Sequence, residues 1–352
     1  MPSLELSALV GPLSADHGVP TVVAAVDRGD GRAPLVYGAG VPDGVNALDA
    51  VFDLASVTKV AATTALLMGL VARGRVDLDG RIGRVLPGPH GGVTVRELLE
   101  HRAGLALWWP LYVAGAREPG AALDLVRTLP AAFARGSGRH YSDLGFMLLG
   151  ALAQEAGGAP LAELAAERVF RPLGMAAAGY LPPPGRALVA SARGDAVERL
   201  MVATGSPYPV PFSPGDFAGW REGLLVGECD DGNAWHAFGG VAGHAGLFGS
   251  AADLLAYGRA LLASLDGRGP WPAAVAAEFA APGADPGQAL GFRRWPRYGA
   301  VGHPGFTGTR FAVVPAVGAT VVLLTNRLLA PGDPPVDAVW DALLSAVVGG
   351  RA

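Results

Sequence analysis

Lysine is almost missing from this chain. Lysine and arginine together number 27, and the single lysine is Lys59. Cysteine is as scarce: Cys229 stands alone, which excludes an intrachain disulfide and a cysteine-rich metal centre. Charge is thin as well. Charged residues make up 16% of the chain and the net charge is −4, with no basic run or stripe. The clustered Lys/Arg face of a nucleic-acid-binding protein is therefore absent. Long apolar runs are also lacking. The most apolar stretch, near 66–71, is broken by Gly69 and closed by Arg73. That is far short of the ~18–20 residues a membrane span needs. The opening, MPSLELSALVGPLSADHG, has no basic segment followed by an apolar one. No secretory leader is expected, and the cytoplasm is the default location unless a misassigned start codon hides a leader and a periplasmic or secreted fate.

What is present is material for a core. Hydrophobic residues make up 51% of 352, too many for disorder. Glycine and proline, 52 and 29 residues, punctuate the chain rather than cluster, as in a loop-rich globular enzyme. Residues 19–40 read as a hairpin, two apolar runs around DRGDGR. Residues 56–73 hold no proline and much Ala, Leu and Met, so they read as a helix stopped by Gly74, apolar on nearly all sides and hence buried. Further helices are expected at 94–101, 142–156, 160–169, 251–264 and 336–348, and a second hairpin from TRFAVVP to ATVVLLTN. The expected fold is α/β of the α+β kind. An antiparallel sheet from the N- and C-terminal segments (1–92 and 263–352) is flanked by helices, with a mainly helical insertion at 93–262, all within one catalytic domain.

Lys59 follows Ser56 by three residues at the predicted helix start. Residues three apart share a helix face, so a hydroxyl and an amine stand side by side. A serine hydroxyl is a poor nucleophile until a base takes its proton. Lysine can act as that base if a dry setting lowers its pKa, whereas arginine stays charged. Two distant segments could complete such a site. GRHYSDLGFMLLG places Tyr141 just before an apolar helix, where a phenol with a cation beside it can act as acid or base. GHPGFTGTR carries His303 among glycines that allow close backbone approach.

Ser56-x-x-Lys59, Tyr141-Ser142-Asp143 and His303-Pro304-Gly305 resemble, in order and rough spacing, the three signature motifs of the serine β-lactamase-like/penicillin-binding-protein superfamily. FDLASVTK, ELLEHRAGL, FRPLGM and GGVAGHAGLFGSAADL are similar to its flanking segments. The likeness spans nearly the whole chain and leans toward class C β-lactamase-like enzymes and family VIII esterases. It implies a β-lactamase/transpeptidase-like fold, Ser56 as nucleophile, Lys59 as its activator and Tyr141 as second base or acid. It also implies Asp143, His303 and Gly305 in substrate binding and the backbone N–H groups of Ser56 and Phe306 as oxyanion hole. The implied reaction is acyl transfer from a small ester or amide to Ser56, then hydrolysis, with no metal and no cofactor. Alternatives are a β-lactamase or D-Ala-D-Ala carboxypeptidase, or a non-catalytic peptidoglycan or β-lactam sensor.

Two positions depart from the pattern. Asp143 stands where Asn is common, replacing an amide donor by an acceptor. His303 stands where Lys is common, and a neutral imidazole offers no charge to a substrate carboxylate. Both departures lower the expectation of penicillin or D-Ala-D-Ala recognition and leave ester hydrolysis open. Elsewhere, His244 reads as a structural loop histidine, His101 and Arg102 as helix-end residues, and 226–240 as a solvated loop whose acids match no metal-ligand spacing. Trp108, Trp109 and Tyr112 fit a pocket wall and a core equally well.

Overall fold

The computed structural model describes residues 5–84, 86–182 and 184–349. Its main sheet has six strands: β1 (Val22–Asp27), β2 (Leu35–Ala39), β6 (Arg293–Trp295), β7 (Ala300–Pro304), β8 (Arg310–Val314) and β9 (Ala319–Thr325). They lie in the order β2-β1-β9-β8-β7-β6, and every neighbouring pair is antiparallel. N- and C-terminal segments thus meet at the β1–β9 seam, where Val22 faces Thr325 and Asp27 faces Thr320. The expected sheet is the one observed. A second sheet that the sequence did not announce joins β3 (Val51–Asp53), β5 (Leu247–Ser250) and β4 (Gly179–Tyr180) in the order β3-β5-β4. Its strands are two to four residues long, too short for any period to declare itself.

All seven residues of β9 are buried, so the polar alternation of a half-exposed strand is absent. Both faces of the sheet are covered instead. Val321 and Leu323 pack with the helices Leu6–Ala15 and Val336–Gly349 on one side. Val322 and Leu324 belong to the larger core on the other side, with the helices Asp143–Gly157 and Ala251–Leu265.

The helix after Ser56 runs continuously over Ala55–Ala72 but changes its winding. It opens with a 3₁₀ turn at Ala55–Val57, widens into a π-type stretch at Lys59–Thr64 and settles into α-helix at Ala65–Ala72. Wide turns of this kind often mark functional positions. By length and composition alone this 18-residue stretch could cross a membrane, but 78% of it is buried inside the protein. It is the core helix its all-round apolarity predicts, although the apolar stretch is longer than the 66–71 run suggested.

The expectation of a solvated loop at 226–240 is corrected. Cys229 is 2% exposed and Asp230 9%, and Gly232–Phe238 is a helix capped by the Asp231 side chain on the Ala234 N–H. Asp231 is tied in by the Ala234 N–H and the His244 ring, which a count of charges along the sequence cannot reveal.

Candidate active site

Ser56 sits on a strained turn. Ala55, just before it, has φ of +45°, a region non-glycine residues rarely enter. Such strain costs about 1–3 kcal/mol and persists where surroundings over-determine it. Here they do. Asp53 Oδ1 accepts the Ala55 N–H at 2.8 Å, Thr307 Oγ1 donates to the Asp53 carbonyl at 3.1 Å, and Thr309 Oγ1 donates to the Leu54 carbonyl at 3.1 Å. The β7–β8 turn and the turn before Ser56 are thereby locked together. Gly305 makes the lock possible, since a Cβ there would lie 2.8 Å from the Leu54 carbonyl oxygen and against the Thr309 hydroxyl. Its missing side chain faces protein, so the position is one of close backbone approach.

Lys59 is fully buried, and its ammonium is surrounded by oxygen atoms. Nζ donates to Ser56 Oγ at 2.8 Å and to the His244 carbonyl at 3.0 Å, and it pairs with Asp143 Oδ1 at 2.7 Å. The sequence led us to expect a lowered pKa in a dry setting. Burial is the largest single influence and pushes it down, but the Asp143 carboxylate and Tyr141 together outweigh it and hold the Lys59 pKa above the usual lysine value. The resting group is an ammonium that donates to Ser56. Asp143, expected to meet substrate, spends one oxygen on Lys59 while still lining the pocket.

Tyr141 lies beside the pair, its ring centroid 5.1 Å from Lys59 Nζ and its hydroxyl bonded to Lys59 and Ser56. A phenol lowered by its neighbouring cation was expected. Burial instead dominates and raises the Tyr141 pKa, with Lys59 pulling the other way. His101 fixes this segment. Its own φ is +56°, its Nδ1 accepts the Ser142 N–H at 3.0 Å, and its carbonyl accepts the His140 N–H at 2.8 Å. Its ring packs 4.5 Å from that of Tyr141. A helix-end reading missed this role, which only the fold brings about.

His303 lies in β7 and is buried, with Nδ1 2.7 Å from the Pro304 carbonyl oxygen. A carbonyl only accepts, so Nδ1 carries the proton and Nε2 a lone pair. Burial, then the Lys59 charge, hold the His303 pKa well below the ordinary histidine value. The neutral imidazole inferred from the sequence follows from these contacts. The N–H groups of Ser56 and Phe306 have no hydrogen-bond partner among the described residues, and both residues line the same cavity of about 170 Å³. Two unbonded amides facing one cavity offer hydrogen-bond donors of the kind that can hold a negatively charged oxygen.

The opposite wall is acidic. Glu198, Asp230 and Asp231 line the cavity with Asp143. Glu198 accepts the Tyr112 hydroxyl at 2.5 Å and the Gly232 N–H at 2.7 Å, and burial raises its pKa well above the normal range. Asp231 Oδ1 contacts His244 Nε2 at 3.0 Å. Burial alone would raise the Asp231 pKa, but His244 brings it down to about 2. Asp53, whose Oδ2 accepts the Asp230 N–H at 2.6 Å, is pushed up to about 6 by burial. Asp230 is pushed up to about 8 by burial and by its acidic neighbours. Of the aromatic residues left open above, Trp108 walls the pocket and Tyr112 is core. His244 is enclosed and works through its carbonyl on Lys59 and its ring on Asp231. No group of three or more metal-ligating side chains with the geometry for an ion occurs among the described residues.

The antiparallel sheet covered by helices on both faces, with a Ser–Lys pair at the start of its central buried helix, defines a serine hydrolase of the β-lactamase-like class. The chain belongs to the Beta-lactamase family, whose model matches residues 6–346. It is 29% identical over 321 residues to an N-acetylmuramyl-L-alanine amidase of Bacillus subtilis (strain 168), covering 81% of this chain and 69% of that protein. It is also 29% identical over 324 residues to a putative D-alanyl-D-alanine carboxypeptidase of Escherichia coli (strain K12), covering 81% and 70%. The solved structure of a D-stereospecific amidohydrolase from a Streptomyces species shares the fold. Its TM-score is 0.70, with 21% identity, over 99% of this chain and 100% of that one.

Proposed function

We propose that this protein hydrolyses a small ester or amide through an acyl-enzyme on Ser56. The observation that carries the reading is the 2.8 Å contact between Ser56 Oγ and a buried Lys59, on a turn strained at Ala55. Lys59 in its neutral form takes the Ser56 proton as Oγ attacks the carbonyl carbon. The oxyanion is held by the N–H groups of Ser56 and Phe306. Tyr141, bonded to both Ser56 and Lys59, carries the proton to the leaving oxygen or nitrogen. Water then attacks the acyl carbon, and the same groups run in reverse to free Ser56.

The polarity of the cavity favours this over penicillin or D-Ala-D-Ala turnover. A substrate carboxylate needs a cation, yet Lys59 is paired with Asp143 and His303 is neutral. Amide hydrolysis suits the two curated relatives, whose names describe an amidase and a carboxypeptidase. The test is pre-steady-state hydrolysis of a p-nitrophenyl ester. A burst of nitrophenol close to one per enzyme is expected, lost in Ser56→Ala and in Lys59→Arg. A full burst in Lys59→Arg would show that the side chain at this position need not deprotonate. A stable penicilloyl adduct with no ester turnover would support the sensor instead.

A further inference from the structure

We propose that the substrates of this site carry a protonated amine close to the scissile carbonyl, and that Asp230, backed by Asp231, receives it. The inference rests on the acyl-Ser56 reading and names its substrate class: aminoacyl esters or amides with a free amine.

The cavity wall carries four acids and no arginine or lysine. Two of the four have committed their charge or their acceptors. Asp143 is held on Lys59, and Glu198 accepts from Tyr112 and Gly232. Asp231 uses Oδ1 for both His244 and Ala234, leaving Oδ2 uncommitted. Asp230 differs from all of them. Its backbone N–H donates to Asp53 and its carbonyl accepts from Arg221, but its carboxyl has no hydrogen bond or ion pair among the described residues. It is 9% exposed and lines the cavity.

A buried carboxyl without a partner is costly. No side chain bonds or pairs with this carboxyl among the described residues. Arg221 Nη2 and His236 Nε2 both bond Asp195, at 2.6 and 2.9 Å, and Lys59 is taken by Asp143. Burial first, then the neighbouring acids, raise the Asp230 proton affinity, with Arg221 opposing them only in part, and a bound cation would work against both. An ammonium supplies three donors, enough for the vacant Asp230 oxygens and Asp231 Oδ2. A guanidinium would fit less well in about 170 Å³ shared with the acyl group. That small volume also keeps the amine within a few bonds of the carbonyl at Ser56. The same wall repels a carboxylate on the substrate, which adds to the exclusion argued from His303.

The test uses competition, so it does not require the competitor to turn over. Inhibition of p-nitrophenyl acetate hydrolysis is measured near neutral pH for alaninamide of each hand and for its N-acetyl derivative. One hand of the free amine should inhibit at a concentration roughly tenfold or more below its N-acetyl derivative. In Asp230→Asn that ratio should fall to about unity. The ratio is internal to each variant, so a general loss of folded enzyme cancels. Equal or stronger inhibition by the N-acetyl compound, no inhibition by either free amine, or a preference that survives Asp230→Asn would each overturn the proposal. If p-nitrophenyl acetate itself is not hydrolysed through Ser56, the acyl-enzyme reading falls. If it is hydrolysed without the amine preference, only this inference falls.

Discussion

Replacing Asp143 by Asn should make the enzyme work at lower pH. The Asp143 carboxylate lies 2.7 Å from Lys59 Nζ, the lysine side chain is wholly enclosed, and the carboxylate is 17% exposed. The charge favours the ammonium, so it delays the loss of the proton that Lys59 sheds, in the proposed mechanism, before it activates Ser56. In the wild type the rising limb of kcat/KM therefore lies on the alkaline side. Removing one partner of a buried pair is worth about 3–5 kcal/mol. One pH unit corresponds to about 1.4 kcal/mol. An Asn amide still offers an oxygen to the ammonium, which keeps part of the interaction. The limb should therefore move down by about two pH units, the lower end of that range. Lys59 can answer the lost partner by becoming neutral, so the substitution should cost less stability than a stranded charge would. The assay is p-nitrophenyl ester hydrolysis from pH 5 to 11 for both proteins, with circular dichroism at each end to verify folding. A limb that stays within about half a unit, or moves to higher pH, would refute Asp143 as the group that holds the Lys59 proton.

Tyr141→Phe should cost ~10²–10⁴ in kcat on amides, and much less on p-nitrophenyl esters, whose leaving group needs no proton; parallel kinetics on an anilide and an ester measure the gap. Gly305→Ala should cost about 1–3 kcal/mol in a urea titration, because the new Cβ meets the Leu54 carbonyl and Thr309, and kcat should fall as the Phe306 amide is displaced. Asp230→Asn should raise the melting temperature by about 2 °C or more at pH 8 and by less at pH 5. The sign follows from the raised pKa of Asp230, pushed from 3.8 up to about 8. The folded chain holds that proton more tightly than the unfolded chain. The stability this gives is fully present below pH ~4 and is lost as pH climbs to 8, whereas Asn carries no charge to bury.

The contact between Ser56 and Lys59 was legible from local spacing because a helix turns a three-residue gap into a neighbour pair, here at 2.8 Å. The outer sheet was legible because β1 and β9 are long, β-branched runs. The short second sheet was not, since three-residue strands such as β3 carry no readable period. The direction of the Lys59 and Tyr141 pKa shifts was also out of reach. Burial could be read from the apolar helix, but the Asp143 contact joins residues 84 positions apart from Lys59, a pairing set by tertiary packing alone. The acidic wall failed for the same reason. Asp53, Glu198 and the Asp230–Asp231 pair are far apart in sequence, and each taken singly looks like an ordinary surface acid. One local signal did exist: Asp53, two residues before Ala55, could have been read as the side chain that caps the nucleophile turn.

The most direct test of covalent chemistry at Ser56 is to trap the adduct and locate it. The purified protein is treated with a fluorophosphonate, and separately quenched in acid during p-nitrophenyl ester turnover, and the peptides are mapped by mass spectrometry. Acyl-serine chemistry predicts one added group per chain, on the peptide carrying Ser56, and neither adduct nor turnover in Ser56→Ala. Full ester turnover in Ser56→Ala, or an adduct on any other residue, would contradict it.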